Sequence, residues 1–182
     1  MATKHIIYLD IETQNSASEV GGWQKKHLMR ISIAVIYSSL HNKYFIFREE
    51  EVDHLLAMLR ESDCIIGFNI LGFDIPVLDS YSVFSLSTLP CIDLLLDIEK
   101  RISRRIKLEQ LARATLGIGK TAHGLQALRW WKEGKLLDIA EYCCYDVKIT
   151  KLLHEYGVKN GKVYYFNENG IKEPIAVNWK MD

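Results

Sequence analysis

Four acidic residues in three separated segments carry the chemistry open to this chain: Asp10 and Glu12 in YLDIET, Asp74 in GFNILGFDIP, and Asp146 in EYCCYDVKIT. The first pair follows the apolar run Ile6-Ile7-Tyr8-Leu9. Strand periodicity places Asp10 and Glu12 on one face and Leu9 and Ile11 on the other. Adjacent carboxylates repel, and a hard divalent cation held between them reverses that cost, which points to Mg2+ or Mn2+. Tyr142 and Asp146 stand four residues apart, so a helix projects both from one side, beside an apolar stripe of Ile139, Cys143 and Val147 that can dock it. Four converging carboxylates suit two metal ions about 3.5–4 Å apart, which clamp the attacking and departing oxygens of a phosphodiester and make water acidic near neutral pH. No side-chain nucleophile is needed. A phenol with an ordinary pKa near 10 is a poor base, so Tyr142 is expected to orient the water.

Positioning these groups requires a sheet and helices. The apolar runs predict strands over 5–10, 30–37 and 43–47, the last two joined by a turn at Ser38 to Asn42. Val52, Leu55, Leu56 and Leu59 recur at helical spacing, and 63–68 reads as a short buried strand. Pro76 suits the first turn of a helix starting near Asp74, Cys91-Ile92 suggests a fifth strand, and the order is β-β-β-α-β-α-β-α. Beyond Arg101 the chain reads as helical: one helix ending at Gly117, one over Leu125 to Lys132, and a long one from about Leu137 to Tyr156. Glu168-Asn169-Gly170 between strand-like runs predicts a C-terminal hairpin. The expected fold class is α/β, a mixed five-stranded sheet with its first three strands antiparallel, flanked by helices. At 182 residues without repeats or a linker, one domain is expected over 1–182, with a core at about 4–156 and a hairpin tail at 157–182.

With 23 basic and 23 acidic residues, bulk charge gives nucleic acid no general attraction. A phosphate-tracking surface would have to be local; Lys100, Arg101, Arg104, Arg105 and Lys107 are the candidates, against the alternative of a solvated helix face. Cys64, Cys91, Cys143 and Cys144 have no C-x-x-C or zinc spacing and read as reduced thiols. No signal-peptide pattern and no membrane-length apolar run is present, so a cytoplasmic location and no membrane partner are expected.

LDIET, NILGFD and YCCYD resemble, in order, the three motifs of DEDD-type 3′-5′ exonucleases of the ribonuclease H-like superfamily. The Y-x-x-x-D form resembles the tyrosine subgroup; the histidine subgroup has an imidazole where this chain has Glu141. The chain looks closest to YprB-like and helicase-associated domains and to the proofreading domain of family B DNA polymerases, up to about Tyr156. The resemblance implies a ribonuclease H-like fold and places two Mg2+ or Mn2+ ions on Asp10, Glu12, Asp74 and Asp146. It makes Tyr142 the water-orienting group and Thr13 and Asn69 contacts to the terminal nucleotide. Implied partners are 3′ ends of single-stranded DNA or RNA, and a helicase; the implied products are nucleoside 5′-monophosphates. The rival readings are an endonuclease of the same fold and a catalytically silent nucleic-acid-binding module.

Other residues have readings of their own. Asp93 is either an auxiliary site acid or a helix N-cap. Trp130 and Trp131 are base-stacking platforms or, as large aromatics more often are, core. Lys120-Thr121 lacks the first glycine of a phosphate loop, Ala114 standing there, and His123 has no ligand partner at metal-site spacing.

Overall fold

A computed structural model describes residues 4–119 and 124–181; Lys120, Thr121 and His123 lie outside the described residues. Strands β1 (Ile6–Thr13), β2 (Ile31–Ser38), β3 (Lys43–Phe47), β4 (Cys64–Gly67) and β5 (Cys91–Asp93) form one sheet in the order β3-β2-β1-β4-β5. β1 runs antiparallel to β2 and β2 to β3, while β4 lies parallel to both β1 and β5. This is the mixed sheet expected from the chain, first three strands antiparallel.

β1 outruns its expected end at residue 10. The ladder to β2 continues through Asp10↔Val35 and Glu12↔Ile33 and slips only between Glu12 and Thr13, so both acids lie within the strand. Burial alternates as a pleated strand dictates: Leu9 and Ile11 are buried while Asp10 and Glu12 are only half-buried. β4 pairs with β1 only from Ile6 to Tyr8. The far end of β1 therefore projects past its parallel neighbour, at the carboxyl edge where sites of such sheets form.

The helices are α1 (Ala17–Val20), α2 (Val52–Arg60), α3 (Asp74–Leu78), α4 (Leu94–Ile102), α5 (Leu108–Leu116), α6 (Gly124–Lys132) and α7 (Leu136–Asn160), followed by the hairpin β6 (Lys162–Phe166) and β7 (Lys172–Ala176). They cover both faces of the sheet. Ile7, Leu9, Ile36 and Ile65 pack with Leu55 and Leu59 of α2 and Ile75 and Leu78 of α3. Tyr8, Val35 and Ile66 pack on the other side with Leu94, Leu111, Ile139, Cys143 and Val147. Two layers of buried, mainly aliphatic side chains thus clamp the sheet, each favoured by removal of apolar area from water.

The hairpin is integral to the second layer. α7 runs beyond Tyr156 to Asn160, and Val163, Ile175 and Trp179 join the cluster of Tyr8 and Val147. A Cβ on Gly157 would sit 2.4 Å from the Trp179 ring, so glycine is what lets the tail close on α7. The Tyr8 hydroxyl and His154 Nδ1 are 2.9 Å apart, and His154 Nε2 lies 3.2 Å from the Trp179 carbonyl. Since a carbonyl only accepts, Nε2 carries the proton, Nδ1 accepts from the phenol, and the buried ring is held neutral.

No periodicity in the chain marks the excursion between β1 and β2. It comprises α1 and a short 3-10 helix at Trp23–Leu28, and its neck is closed by Gln14 N–H to Arg30 O at 2.9 Å and Asn15 N–H to Met29 O at 3.1 Å. Arg30, Gln14 and Tyr81 all donate to the Glu49 carboxylate, which pins the base of the excursion to the sheet edge. Among the described residues no helix is long and apolar enough to cross a membrane.

Candidate active site

The projecting end of β1, the start of α3 and the middle of α7 meet at one cleft of about 460 Å³. Asp10, Glu12, Asp74, Asp146 and Tyr142 all line it, as do Thr13 and Asn69. Residues far apart in sequence are gathered because α7 docks through Ile139, Cys143 and Val147, each with no exposed surface, which turns Tyr142 and Asp146 toward β1. Asp74, 3% exposed, approaches from the other layer, and its Oδ1 accepts from Ile11 N–H at 3.0 Å.

No lysine or arginine lines the cleft among the described residues. The acids therefore face one another without compensation. Burial, then the charges of Asp146, Asp74 and Glu12, push the Asp10 carboxyl well above its usual range. Burial and the charges of Asp146 and Asp74 do the same for Glu12. Burial raises Asp74 to about 7 and Asp146 to about 6, although hydrogen bonds from Ile11 and Tyr142 respectively oppose the rise. Burial, reinforced by the Asp146 charge, raises Tyr142 as well, so its phenol keeps its proton and donates it to Asp146. A protonated phenol can orient; it cannot abstract.

Among the described residues no three acidic, histidine or cysteine side chains already converge as a closed metal-ligand group. Bare carboxylates repel, and three have taken protein donors instead: Asp74 from Ile11, Asp10 from the Cys143 thiol at 3.0 Å, and Asp146 from Tyr142. The donor set itself, four hard carboxylates with no neighbouring cation, fits divalent ions that prefer oxygen.

Several neighbours escaped the sequence reading. Cys143 was legible only as part of the apolar stripe, yet its buried thiol donates to both the carboxylate and the carbonyl of Asp10. Trp23 and Phe73 stand edge to face in the cleft, centroids 6.3 Å apart. Trp130 and Trp131 are half-buried against the core, and Trp130 packs edge-on to Tyr142 at 6.3 Å, a prop for the phenol more than a platform.

Asp93 caps α4 and receives N–H donors from Asn69 at 2.9 Å, Leu71 at 3.0 Å and Leu96 at 3.1 Å. It does not line the cleft; it shapes the loop that holds Asn69 in the left-handed region, φ 72°, which asparagine tolerates. Asp93→Ala orphans these donors and should cost about 1–3 kcal/mol. Urea unfolding in chelator reads this, and an unchanged midpoint would remove Asp93 from that role. Thr13 is buried, and its hydroxyl donates to Asn15 O at 3.1 Å.

The expected phosphate-tracking stretch is largely neutralised. Arg101 pairs with Asp97, Arg104 with Glu168, and Arg105 with Glu99, while Arg105 also donates to Asn69 Oδ1 at 2.7 Å. The sequence showed the stretch free of acids; folding brings acids from either side to it.

The family model of the RNase H superfamily matches residues 7–158, a span that takes in every acid of the cleft. The fold is also similar to that of the family B DNA polymerase from the hyperthermophilic archaeon Pyrobaculum calidifontis, with a TM-score of 0.66 over 86% of this chain at 17% identity. The match covers 25% of the polymerase chain, and at that identity it speaks for the fold alone. None of the curated proteins compared with the chain matches it.

Proposed function

The chain belongs to the RNase H superfamily, and on that footing we propose that it is a metal-dependent 3′-5′ exonuclease of the tyrosine subgroup, YprB-like, releasing nucleoside 5′-monophosphates from single-stranded DNA or RNA. The observation that carries the reading is the meeting of Asp10, Glu12, Asp74 and Asp146, from three separated segments, in one cleft without a basic side chain among the described residues. Those four would hold the Mg2+ or Mn2+ ions. When bound, two such ions supply Lewis-acid polarisation of the phosphodiester and a water that ionises near neutral pH.

The chain's own residues do the rest. Tyr142, which donates its phenolic proton to Asp146 and is propped by Trp130, presents its phenolic oxygen as an acceptor that orients the attacking water. Asp74 is fixed in place by the Ile11 amide, and Asp10 by the Cys143 thiol. Thr13 and Asn69 border the volume where a terminal nucleotide would lie. Lys132 on α6 pairs with Glu19 on α1, joining the helix that supplies Leu128 to the segment that supplies Ser16 and Trp23. A cleft strapped in this way favours entry of a strand end over passage of a continuous strand.

End-labelled linear strands of DNA and RNA, and a closed single-stranded circle, digested with Mg2+, Mn2+ or chelator, test the reading. Expected are monophosphate products from linear strands with either metal, none in chelator, and an intact circle. A cut circle would make the protein an endonuclease, and no product with any metal would leave only a binding module. Tyr142→Phe removes the orienting hydroxyl and should lower kcat roughly a hundredfold with KM little changed; turnover equal to wild type would end that assignment.

A further inference from the structure

The excursion between β1 and β2 contains two features that the reaction as described does not use. Trp23 lines the active cleft yet is 62% exposed, an unusual setting for the largest apolar side chain. It is presented by Gly21 and Gly22, with φ of 88° and 122°, the second in a region essentially restricted to glycine. The next turn carries Lys25, Lys26 and His27. Among the described residues neither lysine has an acidic partner within ion-pair distance, in contrast to Arg101, Arg104 and Arg105. The excursion is also firmly mounted, by its closed neck, the Glu49 anchor, the capping box of Ser16 with Glu19, and the pair with Lys132.

An exposed indole beside unneutralised ammonium groups is what binding of single-stranded nucleic acid requires: a face on which any base stacks, and charge that follows the backbone. We propose that this excursion is the strand grip, with Trp23 stacking on a base at the cleft and Lys25 and Lys26 meeting the phosphates leading to it, in place of the 100–107 stretch. The ligand is a single strand of DNA or RNA. The inference rests on the nuclease reading of the cleft and deepens it by assigning where the substrate strand runs.

Binding in chelator separates grip from chemistry. Anisotropy of a fluorescein-labelled oligothymidylate strand is measured for wild type, Trp23→Ala, Trp23→Phe, Lys25→Ala/Lys26→Ala, and Arg104→Ala/Lys107→Ala, across a salt series. Loss of one base stack, about 1–3 kcal/mol, corresponds to roughly 5- to 150-fold weaker binding for Trp23→Ala, with much of it restored in Trp23→Phe. The Lys25/Lys26 double variant should bind more weakly and lower the slope of log K against log salt by about 1.4, at about 0.7 per single-strand phosphate contact. Arg104→Ala/Lys107→Ala should stay within about twofold of wild type. Trp23→Ala binding like wild type, a loss confined to Arg104→Ala/Lys107→Ala, or no binding by wild type would each overturn the grip. Cleavage that proceeds with binding insensitive to Trp23 would sink this inference alone, whereas Trp23-dependent binding without cleavage in any metal would sink only the nuclease reading.

Discussion

Asp10→Ala and Asp146→Asn will each lower strand cleavage by roughly a thousandfold or more while the protein stays folded. The size follows from the several kcal/mol of transition-state charge stabilisation that divalent ions supply, at 1.36 kcal/mol per tenfold in rate. Asp10 sits mid-strand on β1 and Asp146 mid-helix on α7, so each truncation removes a donor from the cleft without touching the aliphatic layers on either face of the sheet. Initial rates on a labelled single strand in Mn2+, with circular dichroism as the control for fold, read the outcome. Wild-type turnover by either folded variant would remove that residue from the reaction.

Without metal, the same carboxylates should make the stability of the protein depend on pH. Burial and mutual repulsion lift Asp10 and Glu12 well above the usual carboxylate range, Asp74 to about 7 and Asp146 to about 6. In the unfolded chain these groups titrate near pH 4. Between about pH 4 and pH 7 the folded state therefore holds more protons than the unfolded state, and stability falls as pH rises. The penalty is absent below the unfolded pKa and complete above the folded ones. In chelator, the melting temperature should fall from pH 5 to pH 8. The double variant Asp10→Asn/Asp146→Asn should lose less, and at pH 8 should be more stable than wild type by an amount on the order of 2 kcal/mol.

His154, held neutral by burial, acts in the opposite direction below its ordinary range, but it is common to both proteins and cancels in their difference. Mn2+ at about 100 times its dissociation constant should restore about 2.7 kcal/mol to wild type at pH 8 and much less at pH 5, where the carboxylates hold their protons. A melting temperature indifferent to both pH and Mn2+ would mean that the acids are not a repelling, cation-accepting group.

The combination is informative because the two effects have opposite sign. A residue kept for the fold alone would lose stability on removal. Asp10 and Asp146 are expected to lose activity and gain metal-free stability, the signature of charge assembled at a cost for chemistry.

Much of the site was legible in the chain because its parts obey short-range rules. Period-two alternation around Asp10 and Glu12, the four-residue step from Tyr142 to Asp146, and the apolar stripe of Ile139, Cys143 and Val147 are local statements of strand and helix geometry, and the sheet and α7 place these residues accordingly. Asp74 at the start of a helix was also readable, from Pro76 two positions on.

What the chain could not disclose depends on which segments meet. Asp97 pairs with Arg101 one turn away on α4 and Glu99 meets Arg105 from the end of the same helix, but the partner of Arg104, Glu168, comes from the hairpin turn and reaches it only on folding. Asp93 caps α4 through the Leu96 amide, as the chain allowed, but it also holds the Asn69 and Leu71 amides because β5 ends beside the loop at 69–71, a relation with no sequence period. The thiol of Cys143 is read from sequence as an apolar surface, and only the crossing of α7 over β1 makes it a donor to Asp10. Trp23 is the sharpest case: GGWQKKH has neither alternation nor a helical stripe, and its indole reaches the cleft because Glu49 and Lys132 fix the excursion from opposite ends. Local chemistry and periodicity are encoded residue by residue, whereas charge compensation and cleft walls are properties of contacts between elements, which tertiary packing alone decides.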